Sequence, residues 1–162
     1  MITGAPGRSY IIYLTLLIGF VLSIMPLPDW AQDFRPQWVV LILAYWCMAL
    51  PERIGVGVGW VAGLLLDVLM GTLLGQHALG LAVVAFMMLK LYRRVRVQPL
   101  RQQMFTIFVL LLLERLLTLW SIGAAGYPTP TLWYWVTPVV GMLLWPWVYI
   151  ILRDVRRRFH VS

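Results

Sequence analysis

Six apolar runs follow one another along the chain, and its polar residues gather almost wholly in the gaps between them. The runs cover approximately residues 10–25, 38–50, 54–74, 78–91, 104–125 and 132–152. A helix needs about 20 apolar residues to cross a bilayer. Six such segments use most of the 162 residues. The reading is therefore all-α: one integral membrane domain over 1–162, a polytopic bundle of six transmembrane helices. Pro26 and Pro28 end the first run, because proline neither donates to a helix nor fits inside one. No small-residue cleavage site follows that run, so it reads as a retained helix and not a signal peptide. The second run is short for a full span, which implies little tilt or a locally thinned bilayer. Pro51-Glu52-Arg53 and Gly75-Gln76-His77 read as tight turns, and 126–130 as an uncharged loop. Pro138 and Pro146 lie in the sixth run and are expected to kink it.

Composition agrees with that pattern. The hydrophobic fraction is 62% and mean hydropathy is +0.85, far more apolar surface than a soluble domain of this size can bury. Cys47 is the sole cysteine and sits inside an apolar run, so it reads as a small packing residue.

Charge fixes the orientation. Of the 13 Lys and Arg residues, 11 fall on one side when the runs are threaded alternately through a membrane. They are Arg8, Arg53, Lys90, Arg93, Arg94, Arg96, Arg101, Arg153, Arg156, Arg157 and Arg158. Cytoplasmic loops carry the basic excess, so both termini are expected inside. Trp30, Trp38, Trp133 and Trp135 then fall together at the outer interface, as an aromatic belt requires. The net charge of +7 is explained by topology and by contact with anionic membrane lipids, and nucleic acid is not implied.

The sharpest local pattern is in the third run, where Gly55, Gly59, Gly63, Asp67, Gly71 and Gly75 recur at every fourth position. On one continuous helix these positions form a single ridge, which lets another backbone approach closely. The ridge serves either packing within the chain or a partner helix. Asp67, Glu114 and Arg115 are intramembrane polar residues expected near mid-membrane. A charge there is costly, so each should face the interior with a partner. Glu114 and Arg115 point about 100° apart, which makes an Asp67–Arg115 contact across the bundle the expectation. Arg93, Arg94 and Arg96, with Arg153, Arg156, Arg157 and Arg158, form the cytoplasmic basic groups, suited to topology, lipid contact or an acidic partner. Catalysis is poorly supported. His77 and His160 sit at an outer turn and at the C-terminal end, and no nucleophile–base set or metal-ligand spacing can be drawn. The expectation is a protein that is not an enzyme and needs no cofactor.

Several segments together resemble one family. They are Met25-Pro26-Leu27-Pro28-Asp29, Phe34-Arg35-Pro36-Gln37-Trp38, Tyr45-Trp46, and Ala49-Leu50-Pro51. The glycine ridge around Asp67 follows, and then Leu144-Trp145-Pro146-Trp147 with the basic tail. In this order and at this length they resemble the MreD family of rod-shape-determining membrane proteins, in its proteobacterial form. The resemblance implies a place in the bacterial inner membrane, within the rod or elongation complex. It implies MreC as partner, with MreB, RodA and the elongation transpeptidase in the same assembly. It also implies a fold related to the S components of vitamin transporters, which keeps a small-molecule carrier open as the alternative. No catalytic residue comes with the family.

Overall fold

The computed structural model describes residues 9–26, 28–32, 35–52, 54–71, 74–126 and 135–159, and among the described residues the regular secondary structure is all helical. The helices are α1 (Ser9–Ile24), the single turn α2 (Asp29–Gln32), α3 (Trp38–Ala49), α4 (Val56–Met70), α5 (Gln76–Val97), α6 (Leu100–Ala124) and α7 (Val136–Arg158). The six long helices run alternately up and down. The C-termini of α3, α5 and α7 therefore meet at one end of the bundle, called here the basic end. Arg8, Leu27, Asp33, Phe34, Arg53, Trp133, His160 and most of the loop at 126–130 lie outside the described residues. Of the expected tryptophan belt, Trp30, Trp38 and Trp135 all stand at the end opposite the basic one.

The bundle is organised around α3. Every residue from Val39 to Ala49, Cys47 included, is buried. α3 packs on α5, α1 and α7 and touches α6. A helix that is apolar all round belongs in an interior, and here the other helices supply that interior. Two buried indole N–H groups are satisfied across the seams. Trp46 donates its indole N–H to Thr15 Oγ1 at 2.8 Å, joining α3 to α1. Trp145 donates to Gln103 Oε1 at 3.3 Å, and Gln103 Nε2 donates to Val95 O at 2.9 Å, joining α7, α6 and α5.

The outside is as apolar as the inside. Tyr13, Leu17, Val68, Phe105, Trp120, Trp147 and Ile151 are all more than half exposed. α6 and α7 are long and apolar enough to cross a membrane, and only 28% and 33% of their apolar stretches are buried. The core helix of a soluble protein would be covered, so these faces call for lipid.

Two expectations about helix limits are corrected. The third run was expected to be helical to residue 74, but α4 stops at Met70 because Gly71 takes a left-handed conformation, φ 67°. The gap after the fourth run was expected to be a basic loop. Instead α5 continues through Lys90, Arg93, Arg94 and Arg96. Lys and Arg are good helix formers, and they complement the negative C-terminal end of the helix dipole. Pro138 lies in the first turn of α7, where no helical donor is lost, and Pro146 lies inside the continuous helix.

The closest packing is between α4 and α5. A Cβ placed on Gly63 would stand 2.3 Å from Ala78 Cα, and one on Gly59 would stand 2.9 Å from Leu81 O. Both clashes are with backbone, so no side-chain rotation relieves them. Gly63→Ala is expected to lower stability in detergent by about 1–3 kcal/mol, the usual cost of overpacking. Gly57→Ala, where a Cβ meets nothing within 4 Å, is expected to be neutral or stabilising. Thermal unfolding followed by tryptophan fluorescence separates the two; equal melting temperatures would disprove the close approach.

Candidate functional site

Asp67 lies in the last turn of α4, three residues before its end, rather than near mid-span. Its carboxylate reaches over the turn that joins α4 to α5. Oδ2 accepts from Gly75 N at 2.9 Å and Ala78 N at 3.4 Å. Oδ1 accepts from His77 N at 2.9 Å and lies 2.7 Å from His77 Nδ1. The first N–H groups of any helix lack intrahelical acceptors. Gly75, at the N-cap of α5, has no side chain to offer one, so the fully buried Asp67 caps α5 from the preceding helix. These four contacts all come from the segment that leads into α5.

Glu114 is also buried, and it forms the second polar cluster at the same end. Gln37 donates from Nε2 to Glu114 Oε2. Thr118 donates to Glu114 Oε1 at 3.0 Å. The carboxylate therefore stands near the N-terminus of α3, where the helix dipole favours negative charge. Gly80 makes room for it: a Cβ there would come within 2.8 Å of Glu114 Cγ. Arg35 donates to Ser23 O at 2.5 Å and Met25 O at 2.6 Å, satisfying carbonyls at the end of α1. Around these groups lies a cavity of about 290 Å³, whose polar lining includes Arg35, Gln37, His77, Glu114 and Arg115. Neither Asp67 nor Trp135 lines it.

The expected glycine ridge is divided by the structure. Gly59 and Gly63 face α5 at backbone contact. Gly71 and Gly75 belong to the turn, where φ values of 67° and 98° demand glycine. A Cβ on Gly55 would meet nothing within 4 Å. The other side of α4 carries the open surface instead. Between α1 and α4, which touch only sparsely, runs an apolar groove of about 680 Å³. Tyr13, Leu17 and Phe20 line it from α1, and Val61, Leu65 and Leu69 from α4.

The basic residues collect at the opposite end. Arg93, Arg94, Arg157 and Arg158 are exposed there. Arg96, also exposed, donates to Met48 O at 2.8 Å and Ala49 O at 2.7 Å, capping the C-terminus of α3. Arg153 stacks over the Tyr149 ring at 5.8 Å, and Arg156 stands beside it. Among the described residues no three His, Cys, Asp or Glu side chains are grouped to hold a metal ion.

A bundle whose lipid-facing surface is apolar and whose polar groups serve as caps, with the sequence motifs above, points to one family. The family model for rod shape-determining protein MreD matches residues 6–155. The chain belongs to the MreD family. It is 32% identical over 146 residues to the rod shape-determining protein MreD of Haemophilus influenzae, covering 88% of each chain. No solved structure matches. Membership gives this MreD-family protein a part in determining rod shape as a membrane-associated protein, and the family is known by that part and not by a reaction.

Sequence reasoning found Asp67 and Glu114 but missed what holds them. Gly80 was not singled out, and Gln37, Arg35 and Arg96 were named for other reasons than the hydrogen bonds they make here. Their only signals were an isolated glycine in an apolar helix and polar residues flanking α3. Asp67→Ala leaves three N–H groups of the α4–α5 turn without their acceptor and is expected to destabilise by about 2 kcal/mol or more. Asp67→Asn keeps one carbonyl oxygen and should lose less. Thermal melts in detergent would check the order Asp > Asn > Ala, and an unchanged Ala variant would rule out the cap.

Proposed function

We propose that this MreD-family protein is a non-enzymatic membrane scaffold of the bacterial rod complex. It binds the transmembrane helix of MreC and so supports lateral-wall peptidoglycan synthesis and rod cell shape. The observation that carries this reading is the open α1–α4 groove. It is apolar and about 680 Å³, and it runs beside a helix pair already locked by Gly59 and Gly63. α4 thus uses its glycine face internally and leaves Val61, Leu65 and Leu69 for a partner helix. Helix association in lipid depends on packing and shape, since lipid tails are as apolar as the side chains they touch. A preformed groove on a rigid helix pair suits that requirement. MreB, RodA and the elongation transpeptidase would join through MreC or through the short segments at the bundle ends.

In this reading the chain is a multi-pass protein of the inner membrane with six spans and both termini cytoplasmic. The alternation of the six long helices and the gathering of arginines at one end support it. The carrier alternative is not favoured: among the described residues, the cavity near Glu114 has no aromatic lining beyond His77.

Two outcomes are expected. Leu65→Trp and Val61→Trp fill the groove from its open side, so they should fold with a melting temperature near that of the unaltered chain yet lose MreC on co-purification in mild detergent. Retention of MreC by every folded groove variant would remove the groove from the interface. A green fluorescent protein fused after Ser162 should fluoresce, since its folding requires the cytoplasmic side. A dark fusion, with alkaline phosphatase active at the same point, would reverse the topology.

A further inference from the structure

At the basic end, where α3 stops at Ala49 and α5 and α7 continue, the bundle leaves a recess of about 420 Å³. Its wall is Tyr45, Met48 and Ala49 from α3, Arg96 from α5, and Tyr149, Arg153 and Arg156 from α7. Three guanidinium groups thus share one cavity. Among the described residues no carboxylate lies within ion-pairing distance of any of them. Arg153 Nε is buried without a hydrogen-bond partner. The Tyr45 hydroxyl lies within the electrostatic reach of Arg156, Arg153 and Arg157.

We propose that this recess binds the phosphate of an anionic membrane lipid. Like charges converging on one cavity repel each other, and a phosphate is the group that turns the repulsion into attraction. Guanidinium forks match phosphate oxygens with paired hydrogen bonds. The site is also built, not merely charged. Arg96 is held by the two α3 carbonyls, and Arg153 lies over the Tyr149 ring. Their orientation is set before any ligand arrives. The source of the phosphate follows from what borders the recess. On α7 the exposed side chains directly before Arg153 are Leu143, Trp147, Ile150 and Ile151. That surface receives acyl chains, so a lipid lying along it brings its headgroup to the level of the arginines. Basic pockets between membrane helices are suited to such headgroups. The proposal is independent of the groove reading, because among the described residues the groove is lined by α1 and α4 and none of the three arginines borders it.

The test is native mass spectrometry on the full chain in detergent, titrated separately with phosphatidylglycerol, phosphatidylethanolamine and inorganic phosphate. Phosphatidylglycerol should remain bound under activation that strips phosphatidylethanolamine. Arg153→Gln with Arg156→Gln should weaken phosphatidylglycerol binding about tenfold or more. Arg94→Gln with Arg158→Gln removes the same charge outside the recess and should change it by no more than about twofold. Should the first pair fail to fold, Arg156→Gln alone supplies the same comparison. Equal losses in the two pairs would overturn the site in favour of diffuse charge. Equal retention of the two lipids would overturn its preference for an anion. Displacement of phosphatidylglycerol by millimolar phosphate would overturn the lipid as source and assign the recess to a soluble phosphate.

Discussion

A short helix buried at the centre governs much of this architecture. α3 has 12 residues, a length of about 18 Å, whereas the hydrocarbon core of a bilayer is about 30 Å thick. It is apolar on every side and cannot be exposed, yet both its ends stop short of the surfaces that its neighbours reach. The polar groups of the fold collect around those ends. Glu114 and Gln37 stand at the N-terminus, and Arg96 caps the C-terminus. The negative group lies at the positive end of the helix dipole and the positive group at the negative end. Each end also opens into a recess, one lined by Glu114, Arg115 and Arg35, the other by Arg96, Arg153 and Arg156. Both polar sites are thus consequences of one helix being shorter than the rest.

Around that centre the helices differ in how firmly they are fixed. α4 and α5 touch backbone to backbone through Gly59 and Gly63, and Asp67 ties the turn between them. They form the most closely packed pair among the described helices. α1 is held to α3, with a Trp46–Thr15 hydrogen bond in the seam, but leaves α4 largely uncovered. A firm pair beside an open seam is the arrangement that lets a partner be recognised by shape without disturbing the core. The exposed aliphatic side chains of α1 and α4 are at home in lipid when no partner is present, so the groove costs the free protein little.

Much of this was legible in the chain. The first and second apolar runs coincide with α1 and α3 to about one residue, because Pro26 and Pro51 mark their ends and a fully apolar run has few other fates. The third run was overextended. The spacing of its glycines is the same whether a glycine lies inside a helix or ends it, and only the positive φ of Gly71 decides. That error displaced Asp67 toward mid-span and hid its bonds to the segment that leads into α5. The basic stretch after Leu89 was read as a loop because charge was weighed for topology and not for helix propensity. Arg96 shows the limit most clearly. As one arginine among several it is indistinguishable from Arg93 or Arg94, and its role as the cap of α3 exists only once three helices are in place.

The brevity of α3 bears also on leakage. Water reaching inward from the two recesses would be separated by only the length of that helix, little more than half the hydrocarbon thickness. What fills the gap is bulky and aromatic. Tyr45 meets Trp46 edge-on at 5.3 Å and Tyr149 at 5.7 Å, and Trp145 closes against Tyr149 at 6.0 Å. Trp46 and Trp145 are wholly shielded from solvent, and their indole N–H groups are already committed to Thr15 and Gln103. Tyr45 and Tyr149 are part of the wall of the basic-end recess, and the buried Trp46 and Trp145 back that wall with aromatic surface.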